Sequence, residues 1–183
     1  MLIPFGILAA SGAGVASDFE LIQTSIMPSD ATSLTLSNLH TYSTMYKHLQ
    51  VRISAKVNRT VGGDDFTLRF NGDSGANYST HILLGSGSSF LAYGYGGGSM
   101  FVTGAAGSSL STSTAAAVID IVDAYNTSKH KGFRALSGES PGVICIGSGS
   151  WNNTAVLSSI QFLPVYSTQI LAGSRFSIYG LKG

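Results

Sequence analysis

The sequence predicts an all-β protein, a sandwich or barrel of roughly ten short strands separated by turns. Three observations carry this. Apolar residues recur with a period of two, most cleanly over residues 48–57. There Leu49, Val51, Ile53 and Ala55 point one way and Gln50, Arg52, Ser54 and Lys56 the other. The 23 glycines, joined by abundant Ser and Thr, supply many turns, and no segment holds a helical period over three turns. The length of 183 residues, 44% of them hydrophobic, is enough for one compact core and shows no boundary that would divide it.

The chain divides into an extended N-terminal arm, residues 1–16, and a single β domain, residues 17–183. The arm opens on Leu2, Ile3, Phe5, Ile7 and Leu8 and closes on a small-residue connector, residues 11–17. It mimics the apolar part of a targeting signal but lacks a positive start, since the first basic residue is Lys47. Residues 19–23 read as a first strand and residues 34–36 as a second, after a turn at Pro28, Ser29 and Asp30. One helical turn is expected within residues 38–47. The strand over residues 48–57 has one face on a core and one in water. After a turn over residues 58–65, Phe66, Leu68 and Phe70 alternate with Thr67, Arg69 and Asn71. The loop at residues 71–75 carries strong turn chemistry, and residues 78–84 form a further strand. Residues 90–113, rich in glycine and then in Ser and Thr, read as one long surface excursion with a short strand near Met100, Phe101 and Val102. Residues 118–125 are apolar on both faces apart from Asp120 and Asp123 and read as a central strand. Residues 133–136, 143–146, 156–163 and 176–181 complete the set. The first and last strands are both amphipathic and are expected to pair.

Composition excludes several functions. Charged residues make up 10% of the chain and the net charge is +1, too little positive field for a nucleic-acid binder. A surface this short of charge is poorly protected against association, so the chain is expected to live in an assembly. No run approaches the ~18–20 apolar residues of a membrane helix. The single cysteine, Cys145, excludes an intrachain disulfide and a cysteine-based zinc site; it reads as a small buried apolar residue.

The motifs that suggest chemistry fail on chemical grounds. Residues 138–142 match G-x-S-x-G, but the residue after the serine is Pro141, which has no N–H to donate to an oxyanion. Residues 94–98 are glycine-rich, but no helix pattern follows to complete a phosphate cradle, and the stretch reads as a loop. The histidines at 40, 48, 81 and 130 lack metal-ligand spacing. Asp64, Asp65, Asp73, Asp120 and Asp123 fit no cation-loop rule. No catalytic set, cofactor site or metal site is expected, and the chain is read as a non-enzyme. Trp151, beside Asn152 and Asn153, has two readings: a sugar-stacking platform, or a ring that caps the core, the reading preferred.

One resemblance spans residues 17–183. It runs through residues 19–22 and 46–52, then Phe70-Asn71-Gly72-Asp73 within residues 68–78, then residues 118–121 and 147–151, and ends on Tyr179-Gly180-Leu181-Lys182. In this order the pieces resemble a group of tailed-bacteriophage virion structural proteins. The resemblance implies a jelly-roll-like β-sandwich without catalytic residues, located in the virion, on the capsid surface, tail or fibres. The first expectation is a capsid decoration or cement protein on the outside of the head, self-associating as a trimer. Its arm, through Leu2, Ile3, Phe5, Ile7 and Leu8, would dock on the major capsid protein or other virion subunits. The alternative is a tail or head fibre domain that contacts the host surface, with Tyr93, Tyr95 and Trp151 as its glycan-facing residues.

Overall fold

The computed structural model describes residues 18–97, 100–106, 112–139 and 142–183. They form twelve strands: β1 (Phe19–Ile26), β2 (Leu34–Leu36), β3 (His48–Lys56), β4 (Gly63–Phe70), β5 (Tyr78–Ser86), β6 (Ser89–Gly97), β7 (Met100–Ala106), β8 (Ala115–Val122), β9 (Lys131–Glu139), β10 (Val143–Trp151), β11 (Ile160–Pro164) and β12 (Arg175–Leu181). The only helical element among the described residues is a 3-10 turn, Leu39–Tyr42, inside the segment where one turn was expected.

The pairing is nested. β1 pairs with β12, β2 with β11, β3 with β8 and β4 with β7, all antiparallel. Strands from the two ends of the chain thus lie side by side and the inner pairs fold within the outer ones, which is the path of a jelly roll. Cross-links β12–β3 and β11–β4 complete two sheets, β1-β12-β3-β8 and β2-β11-β4-β7. A two-residue parallel contact, Ala55 to Ala105 and Lys56 to Ala106, joins them at a corner. Two inserted hairpins, β5–β6 and β9–β10, pair with each other through β10 and β5, and β9 adds to β8. One sheet therefore has eight strands and the other four.

Residues 89–97 and 100–106 are strands, where the sequence suggests one surface excursion with a short strand. β6 is held along its whole length by β5, from Tyr78 opposite Gly97 to Ser86 opposite Ser89. Glycine hides such a strand because it is a poor strand former with no side chain to show the period. Gly94, Gly96 and Gly97 accordingly belong to a strand and not to a loop. β8 is central in hydrogen bonding, yet it is apolar on an exposed face as well as a buried one: Val118 and Val122 face outward. β4 starts at Gly63, earlier than expected, with a bulge between Asp64 and Asp65.

The core lies between the sheets. Phe66 and Phe162 of the smaller sheet meet Phe176 of the larger one, with ring centroids 5.0–6.4 Å apart. The predicted inward set of β3, Leu49, Val51, Ile53 and Ala55, is buried, as is Cys145. The closing stretch at 179–182 owes its glycine to packing: the Tyr46 ring occupies the space that a Cβ on Gly180 would need.

Candidate functional site

The eight-stranded sheet outruns its four-stranded partner, and two features follow from that mismatch. On the outer face of the larger sheet, register aligns Val118 with Leu136, Leu136 with Ile146 and Ile146 with Leu83. Ala116, Gly138 and Ile144 form a second row beside it. Leu83, Leu136, Ile144 and Ile146 are each more than half exposed, 52–54%. Between the rows lies a shallow apolar groove of about 350 Å³ lined by Ala116, Val118, Leu136 and Ile144. A polar ladder borders the patch: Arg52 donates to Gln50 (3.0 Å), Gln50 to Asp120 (2.8 Å) and Arg134 to Asp120 (2.9 Å). An apolar patch rimmed by polar groups is what an interaction surface looks like.

On the inner face, where the second layer stops, a pocket of about 610 Å³ opens. The start of β4 supplies Gly63, Asp64 and Asp65, the end of β9 supplies Glu139, and Ile82, Leu84, Tyr93, Val143, Val165, Tyr166 and Arg59 complete it. Asp64 is buried and fully committed. It accepts from the N–H groups of Asp65 (2.8 Å), Tyr166 (2.9 Å) and Ser167 (2.8 Å) and from the Ser167 hydroxyl. These bonds fix Tyr166 at the mouth of the pocket. Arg59 lies over the Tyr166 ring, 4.6 Å from its centroid, and donates to the Gly63 carbonyl. Burial, and then the charge of Asp64, push the Asp65 carboxyl up to about 6. Burial, and then Asp65, push Glu139 up to about 7. The Glu139 carboxylate occupies the space that a Cβ on Gly63 would take, and its Oε2 is enclosed without a hydrogen-bond partner.

Trp151 is 1% exposed, so it offers no stacking platform, and the sugar-contact expectation for it is corrected. Its ring packs on Phe70 (5.7 Å) and Tyr78 (6.4 Å), and its indole N–H donates to Asp73 (2.8 Å). The ring caps the core, as the preferred reading has it. Tyr93 is 41% exposed and lines the pocket; Tyr95 is placed in β6 opposite Thr80. Leu2, Ile3, Phe5, Ile7 and Leu8 lie outside the described residues, as do Gly98, Ser99 and residues 107–111 of the expected excursion. Ser140 and Pro141 also lie outside them, and the G-x-S-x-G stretch spans the β9–β10 turn, where the Gly142 N–H donates to the Glu139 carbonyl (2.9 Å).

The five aspartates do not converge. Asp64 and Asp65 sit at the pocket, Asp73 at the opposite end of β4, Asp120 on the outer face, and Asp123 beside Lys129 and His48. No cluster of three or more metal-ligating side chains occurs among the described residues. Sequence reasoning missed Arg59, Glu139 and Tyr166, which only the chain's path brings together. The one local signal was the adjacent pair Asp64–Asp65 at the head of an apolar strand. No model of a known protein family matches the chain, and no curated protein matches it.

Proposed function

We propose that the chain is a structural subunit of a tailed-phage virion, a capsid decoration or cement protein on the outside of the head, that works by association. The observation that carries this is the apolar outer face of the eight-stranded sheet, with Leu83, Val118, Leu136, Ile144 and Ile146 exposed together. A jelly-roll sandwich, a surface with few charges and the resemblance through residues 70–73 and 179–182 support the same reading.

Magnitudes assign the parts. Half-exposed aliphatic side chains return about 1 kcal/mol each when the rest of their surface is covered. Five of them yield about 5 kcal/mol, at the low end of the ~4–15 kcal/mol lost in immobilising a subunit. The face alone holds a subunit weakly. The arm, whose five large apolar side chains are worth ~1.5–3 kcal/mol each if fully buried, is what makes attachment firm. The face therefore packs against a second copy, and the arm docks on the shell.

The test is an image of the intact virion with the copy number of this chain, paired with binding of the purified chain to particles that lack it. The full chain is expected to bind, and a chain without residues 1–16 to fold but not bind. Full occupancy by the truncated chain contradicts the reading. Placement on a tail or head fibre is the alternative, and Tyr93 at the pocket mouth, not Trp151, is the residue that favours it.

A further inference from the structure

The inner-face pocket has features that assembly does not use. Its volume, about 610 Å³, falls within the range of small-molecule sites, and its walls combine apolar side chains with converging charged ones. Two phenol rings stand exposed at it, Tyr93 at 41% and Tyr166 at 63%. Tyr166 is held there by the two N–H bonds that its own residue and Ser167 give to Asp64. Deeper in, the carboxyl groups of Asp65 and Glu139 line the pocket beside Asp64 and Arg59. A floor of carboxyl groups offers acceptors, and a ligand that brings donors matches it.

We propose that this pocket binds a saccharide unit, whose hydroxyl groups donate to Glu139 and Asp65 while a C–H face of the ring lies against Tyr166. The ligand must bring donors, because the polar floor is made of carboxyl groups. It need not bring positive charge, because Arg59 already lies over Tyr166 and supplies that charge. The raised affinity of Asp65 and Glu139 for protons agrees: the site resists accumulating charge and favours neutral donors. It must also present an apolar face to aromatic rings. A pyranose combines hydroxyl donors at its edge with a C–H face, and a pocket this size takes one or two rings. The inference stands apart from the assembly reading, since the pocket and the outer face lie on opposite sides of the sheet.

The experiment is saturation-transfer NMR on the full chain at pH 7.5. The probes are glucose, galactose, N-acetylglucosamine and the β-linked disaccharides of glucose and of N-acetylglucosamine, with L-arginine methyl ester as a cationic probe. At least one sugar is expected to bind saturably, with the strongest transfer at ring C–H protons. Tyr166→Ala and Glu139→Gln should each weaken that binding about tenfold or more, the loss expected for one charge-assisted hydrogen bond or one stacking face. Leu136→Lys, on the other side of the sheet, should leave it unchanged. Tyr166 is exposed, so its variant remains informative if Glu139→Gln fails to fold, and the thermal melts of both variants show which have folded. Saturable binding by none of the sugars overturns the proposal. So does binding of the arginine ester alone, or sugar binding that survives Tyr166→Ala unchanged.

Discussion

β4 and β10 each run from the carboxylate pocket to the Trp151 cap, and the two ends of these strands are built on opposite rules. At the cap, Asp73 accepts from the Trp151 indole (2.8 Å), the Asn77 amide (2.9 Å) and the Gly75 N–H (2.8 Å). Those bonds, that of Trp151 first, hold its carboxyl below the usual carboxylate range. Asn71 adopts a left-handed backbone, φ 54°, and its side-chain oxygen accepts from Ser158 N–H (2.7 Å), Ser158 hydroxyl (2.9 Å) and Ser159 N–H (3.1 Å). Lys131, opposite Trp151 in the register, is buried and donates to the carbonyls of Asn126, Lys129 and Thr154. At the pocket end, Asp65 and Glu139 are pushed the other way, first by burial. The carboxylates divide by end: the one at the cap is held low by its hydrogen bonds, and the two at the pocket are held high by burial. Carboxyl groups pushed upward together beside a cavity mark a candidate site.

The largest effect that would sharpen this contrast is a truncation at each end. Trp151→Ala removes the largest fully buried side chain and should cost about 3–5 kcal/mol of stability. Tyr166→Ala, at an exposed ring, should stay within about 0.5 kcal/mol. Urea denaturation of the two variants checks both. Equal costs would break the comparison.

Next in size are the two aspartates. Asp73→Ala leaves the buried indole N–H without its acceptor and should cost about 1–3 kcal/mol. Asp65→Asn removes a charge that burial and Asp64 both oppose, and should leave stability at pH 8 unchanged or higher. The same urea titrations, run at pH 8, decide it.

The pH profile is a smaller effect with a definite sign. Asp65 and Glu139 bind their protons more tightly in the folded chain than at their ordinary values of 3.8 and 4.5. The stability they add is therefore present at low pH and lost as pH rises toward about 6 and about 7. Asp73 acts oppositely: its contribution is present above the ordinary carboxylate value and lost as pH falls through its lowered one. Stability should decline from about pH 4 to about pH 7, and Asp65→Asn with Glu139→Gln should flatten that limb. Asp73→Ala should flatten the acid limb instead. Thermal melts across pH 3–8 read both, and a limb unaffected by its own variant would contradict the assignment.

The cap was largely legible in the sequence and the pocket was not, for a physical reason. Turn chemistry at residues 71–75, the alternation of Phe66, Leu68 and Phe70, and a lone tryptophan near the end of a strand are local signals of a local structure. The alternation over residues 48–57 and the pairing of the two terminal strands were readable for the same reason: period and amphipathicity need no knowledge of partners. Gly94 and Gly96 concealed β6, whose strand character comes from its ladder with β5. Val118 and Val122 made β8 look buried on both sides, when the second face is apolar but open. The pocket joins residues 59, 65, 93, 139 and 166, which no spacing rule connects; the jelly-roll path and the two inserted hairpins alone bring them together.

The smallest expected change in stability accompanies the largest expected change in behaviour, at the outer face. Leu136→Lys with Ile146→Lys places two charges on exposed neighbours in register and should alter the stability of the subunit by about 0.5 kcal/mol or less per site. Sedimentation velocity of the full chain over a wide concentration range, wild type against this double variant, tests association most directly. A defined oligomer for the wild type and a folded monomer for the variant is the result expected. A wild type that stays monomeric throughout, or a variant that assembles just as the wild type does, would contradict a protein that works by packing this face against its own copies.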